Sequence, residues 1–256
     1  MTPFIEDDYL WPCAGRRPIL IFVALIAGTL LFFNVFPWID IAVSELFFKQ
    51  RVCIATGKIC GTFPLSSSPV FGPIRQLLQV TPVTLAVLLL LAITWRVVAR
   101  RSLAHPFDRA GLAAVATMVI SAGAIVNLIL KEHWGRPRPY MTDLFGGPYP
   151  FVPAGHITEY CATNCSFVSG EAASSFWLVA LATLTPRAYR TWALAAAFTV
   201  ATGTSLLRVA FGGHYLSDVI LGALLSLLIF TLLATGIRML ALRHTAQQKA
   251  GERLMN

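Results

Sequence analysis

Apolar residues gather into six windows, 19–36, 81–98, 111–130, 171–184, 192–206 and 216–235, separated by shorter stretches that hold most of the charge. Most windows approach the roughly 20 residues a helix needs to cross the hydrocarbon core of a bilayer. The fourth and fifth are shorter and rich in Ala, Ser and Thr. Each alone also fits a buried helix of a soluble protein, but small side chains suit close helix packing in a membrane bundle. Pro186, Arg187 and Arg190 predict a tight turn between these two. The pattern therefore predicts an all-α, six-transmembrane helical bundle over residues 19–243, with a leading segment 1–18 and a tail 244–256. Two longer connections, about 37–80 and 131–170, fall on one side of it. Within the first, 38–48 (WIDIAVSELFF) predicts an amphipathic helix in the outer interface and 64–73 a Pro/Ser-rich loop. The tail after Arg243 predicts a frayed, solvated end, and no internal repeat is visible.

Composition supports the membrane reading. Of 256 residues, 56% are hydrophobic and 12% charged, and the mean hydropathy is +0.69, which excludes an ordinary soluble domain. A net charge of +8 raises nucleic acid as a partner, but that needs a concentrated basic patch on an exposed face. Here the charges punctuate apolar runs and read as topology anchors, so no nucleic-acid partner is expected.

Those anchors orient the bundle. Arg16 and Arg17 precede the first window, Arg96, Arg100, Arg101 and Arg109 lie between the second and third, Arg187 and Arg190 between the fourth and fifth, and Arg238, Arg243, Lys249 and Arg253 follow the sixth. All fall on one side, which the positive-inside rule makes cytoplasmic, together with both termini. The first apolar run is long, follows a polar lead and lacks an A-x-A exit, so it reads as a retained signal anchor. Cys53 and Cys60 share the first external connection and Cys161 and Cys165 the second, whereas Cys13 is alone inside. Pairing outside suits an oxidising periplasm. Two local disulfides are expected, with cross-pairing and free thiols as alternatives; a zinc site lacks the usual spacing.

Candidate chemistry begins where the third window ends. KEHWGRPRP places Lys131, Arg136 and Arg138 within eight positions on the external side, against the positive-inside bias. Snorkelling explains one such cation. Three, with two prolines stiffening the loop, suit an anion, with Lys as a point charge and Arg as a bidentate fork. FVSGEAAS then opens the fourth window with Ser169, Gly170 and Glu171. Between the fifth and sixth, Arg208 precedes Gly-Gly, His214 and Asp218. With a helix starting near His214, Asp218 shares its face at i+4, accepts a hydrogen bond from the imidazole and leaves the other ring nitrogen free as a nucleophile. The predicted topology brings all three groups to one face of the bundle.

K-x6-R-P, then S-G before a helix, then R-x5-H-x3-D resembles the three-part signature of the type 2 phosphatidic acid phosphatase superfamily, membrane lipid phosphatases related to vanadium haloperoxidases. The resemblance runs from Lys131 to Asp218. It implies that Lys131, Arg138 and Arg208 neutralise phosphate oxygens, helped by Ser169 and the Gly170 N–H at a helix N-terminus. It implies further that His214 attacks phosphorus to give a phosphohistidine, with Asp218 orienting the imidazole, and that no metal or cofactor takes part.

Two departures stand out. Leu207 occupies a position where the family often has Ser, a change of little consequence. Glu171 stands where the family has a second His, the acid that protonates the leaving oxygen; PAGH, ending in His156, is a weaker alignment to that second motif and a surrogate acid. A carboxyl group serves as the acid only if it carries a proton, which burial beside phosphate favours and neighbouring cations oppose. A good leaving group lessens the demand.

The expected function is thus hydrolysis of a phosphate on a membrane phospholipid or glycolipid at the periplasmic face of a bacterial inner membrane. Lipid A ranks first, then undecaprenyl diphosphate, then phosphatidate-type lipids. The same site also suits lipid-to-lipid phosphotransfer, and loss of the second His admits a non-catalytic lipid-phosphate binding or transport protein.

Overall fold

The computed structural model describes residues 14–52, 59–101 and 105–255. Seven helices dominate: α1 (Arg16–Val35), α2 (Trp38–Glu45), α3 (Phe71–Arg100), α4 (Pro106–His133), α5 (Gly170–Ala182), α6 (Arg187–Ala210) and α7 (Leu216–Met255). Within α4 the winding is π-helical over Met118–Leu130.

Among the described residues, α1, α3, α4, α6 and the Leu216–Arg243 part of α7 are long and apolar enough to cross a bilayer. The helices at the rim present large apolar side chains outward, such as Leu20, Leu31, Leu77, Leu91 and Trp95. In water these faces would be a liability; against lipid tails they are the expected surface. The fourth predicted window forms α5, whose 13 residues reach about 20 Å at about 1.5 Å each. Its apolarity has another cause than lipid contact, since ten of its residues are buried. Trp177 is fully buried and donates Nε1–H to Ala114 O at 2.5 Å. Ala172, Ala173 and Ala180 let α6 and α7 approach closely on its other sides.

Four expectations need correction. The fold is not wholly α. β1 (Lys49–Val52) pairs antiparallel with β2 (Ile59–Thr62), Arg51 opposite Cys60. Phe48, Phe63 and Phe145 cluster in tilted and edge-on contacts, with ring centroids 5.1–5.5 Å apart, beneath this hairpin. A Cβ on Gly61 would lie 2.4 Å from the Phe48 ring, so glycine is required for the contact. Next, α2 is not simply an interfacial helix, because Asp40 and Ser44 on it are buried. Finally, the tail after Arg243 continues the helix to Met255 instead of fraying. The first connection is also shorter than expected, because α3 begins at Phe71.

Candidate active site

Asp40 of α2 is fully buried, which for a carboxylate demands partners. It accepts from Arg136 Nη2 at 2.9 Å, from Ser217 N at 2.9 Å and from Ser217 Oγ at 2.5 Å. Arg136 is equally buried and donates from Nη1 to Asp218 Oδ1 at 2.6 Å and from Nε to Val152 O at 2.9 Å. Its guanidinium lies 4.3 Å from the Tyr215 ring centroid. Burial draws its proton affinity down, but Asp218 and Asp40 outweigh this and hold it above the ordinary arginine value. Arg136 therefore leaves the anion-binding cluster in which the sequence put it. It is a strut joining α2 to the start of α7.

The expected His214–Asp218 hydrogen bond is also corrected. α7 begins at Leu216, after the turn at Gly212 and Gly213, so His214 is not on the helix and its Nδ1 lies 4.0 Å from Asp218 Oδ2. Nδ1 instead meets the Ser166 carbonyl at 2.8 Å. A carbonyl oxygen only accepts, so Nδ1 carries the proton and Nε2 keeps its lone pair. Asp218 acts one step away: Oδ2 accepts from Ser166 Oγ at 2.5 Å and from Tyr215 N at 3.1 Å, fixing the residue whose carbonyl holds the ring. Burial first, then Arg208, Arg138 and Lys131, push the His214 pKa well below 6.5. The imidazole is neutral, as a nucleophile must be.

Those three cations surround it from separate elements. Lys131 ends α4, and a Cβ on Gly170 would lie 3.2 Å from its Nζ, so Gly170 keeps the ammonium close over the N-terminus of α5. Arg138 is braced on Asn164, Nη2 reaching both its carbonyl and its Oδ1 at 2.8 Å. Arg208 ends α6 against Gly213, where a Cβ would fall 2.4 Å from Nη2. Ser169 is the N-cap of α5, its Oγ accepting from Ala172 N at 3.2 Å. The N–H groups of Gly170 and Glu171 remain outside the intrahelical bonds, where a helix N-terminus offers them to an anion. Asn164 and Ser166 are placed beside Cys161–Cys165, a disulfide with Cα atoms 5.7 Å apart. Cys60 is also disulfide-bonded; Cys53 and Cys13 lie outside the described residues.

Glu171 faces the cluster, bridged by Arg75 of α3: Nε donates to Oε2 at 3.1 Å and Nη2 to Oε1. Arg208 Nε is 3.2 Å from Oε1. His156 sits elsewhere, exposed, with Nε2 2.6 Å from Asn34 Oδ1 on α1. No hydrogen bond or ion pair joins it to the cation cluster among the described residues. Asp40, Arg75, Ser166, Asn164 and Ser217 were missed by motif reading. An acid inside the apolar stretch of α2 and a cation opposing the positive-inside bias at Arg75 were usable signals; Ser166 meets the imidazole through its backbone carbonyl and left none.

Comparison with known proteins fits this geometry. The PAP2 superfamily matches residues 111–241. A lipid A 4'-phosphatase of Rhizobium leguminosarum is 41% identical over 209 residues, 78% of this chain and 88% of that protein. One from Rhizobium etli is 39% identical over 250 residues, 91% and 94% of the two chains. A crystal structure of a transmembrane PAP2 type phosphatidylglycerolphosphate phosphatase from Bacillus subtilis superposes with a TM-score of 0.56, covering 88% of this chain and 98% of that one at 18% identity, a likeness of fold. Because the matched segment contains Lys131, Arg138, Ser169, Gly170, Arg208, His214 and Asp218, and the relatives align over most of their length, the chain belongs to the PAP2 superfamily.

Proposed function

We propose that the protein is a multi-pass phosphatase that removes a phosphate monoester from lipid A at the periplasmic face of a bacterial inner membrane, His214 being the nucleophile. The observation that carries this reading is the Ser166 carbonyl on His214 Nδ1, beside three cations, which frees Nε2 for attack. The two Rhizobium relatives, both described as lipid A 4'-phosphatases, support the lipid and favour the 4' phosphate. Six crossings, with α5 as a short central one, and cytoplasmic termini belong to the same proposal. They rest on the distribution of arginines and lysines.

In the proposed reaction, Lys131, Arg138 and Arg208 spread the phosphate charge, with Ser169 and the Gly170 N–H. The Nε2 lone pair attacks phosphorus in line as the ester P–O bond breaks. Once parted from Arg75, Glu171 takes a proton from solvent water and gives it to the departing sugar oxygen, and the resulting carboxylate then takes one from the water that cleaves the phosphohistidine. Phosphate leaves and the imidazole returns neutral. Asp218 is a positioning residue, acting through Ser166. A 4' sugar hydroxyl is a poor leaving group, so the demand for an acid is high here. Glu171 meets it only after parting from Arg75.

The test incubates the purified chain with lipid A and with phosphatidate, undecaprenyl diphosphate and phosphatidylglycerol phosphate, following phosphate release and product mass. Loss of one phosphate from lipid A, absent with His214→Asn, is expected. Preference for phosphatidate, or transfer to a lipid acceptor without free phosphate, would refute it.

A further inference from the structure

The Arg75–Glu171 pair stands where a substrate phosphate has to sit. Arg138 and Arg208 line a cavity of about 570 Å³ together with Arg75 and Tyr140. Lys131 lines a second, of about 610 Å³, together with Gly170, Glu171 and Asn127. No residue lines both. A single phosphate held by Lys131, Arg138 and Arg208 must therefore lie across the boundary between the cavities. The two cavities are linked by a pair: the Glu171 carboxylate, which lines the second, is forked through both oxygens by Arg75, which lines the first, and approached by Arg208 Nε at 3.2 Å.

A carboxylate gripped by one guanidinium and touched by another presents the donors with what a phosphate would present, in planar form and with one charge fewer. Arg208 Nε is buried and has no hydrogen-bond partner among the described residues, its contact with Glu171 being an ion pair of poor alignment. A donor left in that state is costly, and a phosphate oxygen would satisfy it. Among the described residues, the charged groups set against Glu171 are cations: Arg75 from α3, Lys131 from α4, Arg208 from α6 and Arg138 from the loop after α4.

We infer that Arg75, outside the segment that matches the family, is a fourth cation of the phosphate site, and that Glu171 is its resident counter-anion, displaced from Arg75 and Arg208 when the lipid phosphate enters. The inference rests on reading the site as one for a lipid phosphate. It gives a reason for a Glu at the position where the resemblance to the family implies a His. The exchange replaces one negative charge by two at four cations, so it favours a terminal phosphate monoester over a phosphodiester. It also releases Glu171 from its ion pairs, so that the carboxylate can take from solvent water the proton the leaving oxygen needs.

The test is calorimetric titration of inorganic phosphate into the full chain in detergent, with lipid A phosphate release measured in parallel. Glu171→Gln removes the competitor, so phosphate binding tightens about tenfold over wild type. Adding Arg75→Ala to Glu171→Gln loosens it again about tenfold, and Arg75→Lys in that background loosens it less. If Arg75 only orients Glu171, its removal changes nothing once Glu171 is gone. Equal affinities for Glu171→Gln with and without Arg75→Ala, or no tightening with Glu171→Gln, would overturn the inference. Absent lipid A hydrolysis by the wild type, with the binding pattern intact, would overturn only the proposed function.

Discussion

Arg136 and Arg138 stand two positions apart in one loop and face different tasks. Arg136 is held by Asp40, Asp218, Ser217 and the Val152 carbonyl in full burial, whereas Arg138 keeps an edge towards the cavity. Arg136→Ala leaves two buried carboxylates uncompensated and is expected to cost about 3–5 kcal/mol, read as a lowered melting temperature in detergent. Arg138→Ala should melt close to wild type while kcat/KM for phosphate release falls about 100-fold. His214 makes a pH prediction. Protonation disables the nucleophile, and burial with three neighbouring cations holds its pKa below 6.5, so the acid limb of kcat/KM should fall below pH 6.5. An acid limb above that value would contradict the site described. Spacing made Lys131, Arg138, Arg208 and His214 legible in the sequence. The Asp218 contact was not, because i,i+4 geometry presumes a helix through His214 and the Gly212–Gly213 turn delays it to Leu216.

At the scale of elements, the site depends on how closely α5, α6 and α7 meet. Gly222 of α7 lies under the N-cap of α5: a Cβ there would stand 2.5 Å from the Ser169 carbonyl oxygen, a backbone atom that cannot step aside. Gly222→Ala is expected to lower stability by about 1–3 kcal/mol and activity with it, checked by melting and phosphate release on the same sample. Gly213→Ala differs, since the atoms it meets are the movable end of Arg208. There the melting temperature should hold while kcat/KM drops. The helices were legible because their apolar runs are long. The hairpin was not, because its strands are only four residues each and the first is mostly polar, and its support comes from Phe145, more than eighty positions beyond.

For the molecule as a whole, apolar windows and the placement of basic residues were enough to anticipate a helical membrane bundle whose motifs meet at one end. They were not enough to see that α5 is apolar because protein covers it, or that α2 sends an acid beneath the site. Burial by other segments is a property of the assembled chain, and a single sequence carries little trace of it. The central claim is that this assembly makes His214 a phosphate acceptor. Its most direct test is to react the purified protein with lipid A bearing radiolabelled phosphate, quench in base within the first turnovers, and locate the label by mass spectrometry. An acid-labile, base-stable phosphoryl group is expected on His214 and none in His214→Asn, which also releases on the order of 1,000-fold less phosphate. Undiminished release by His214→Asn, or label trapped on another residue, would contradict it.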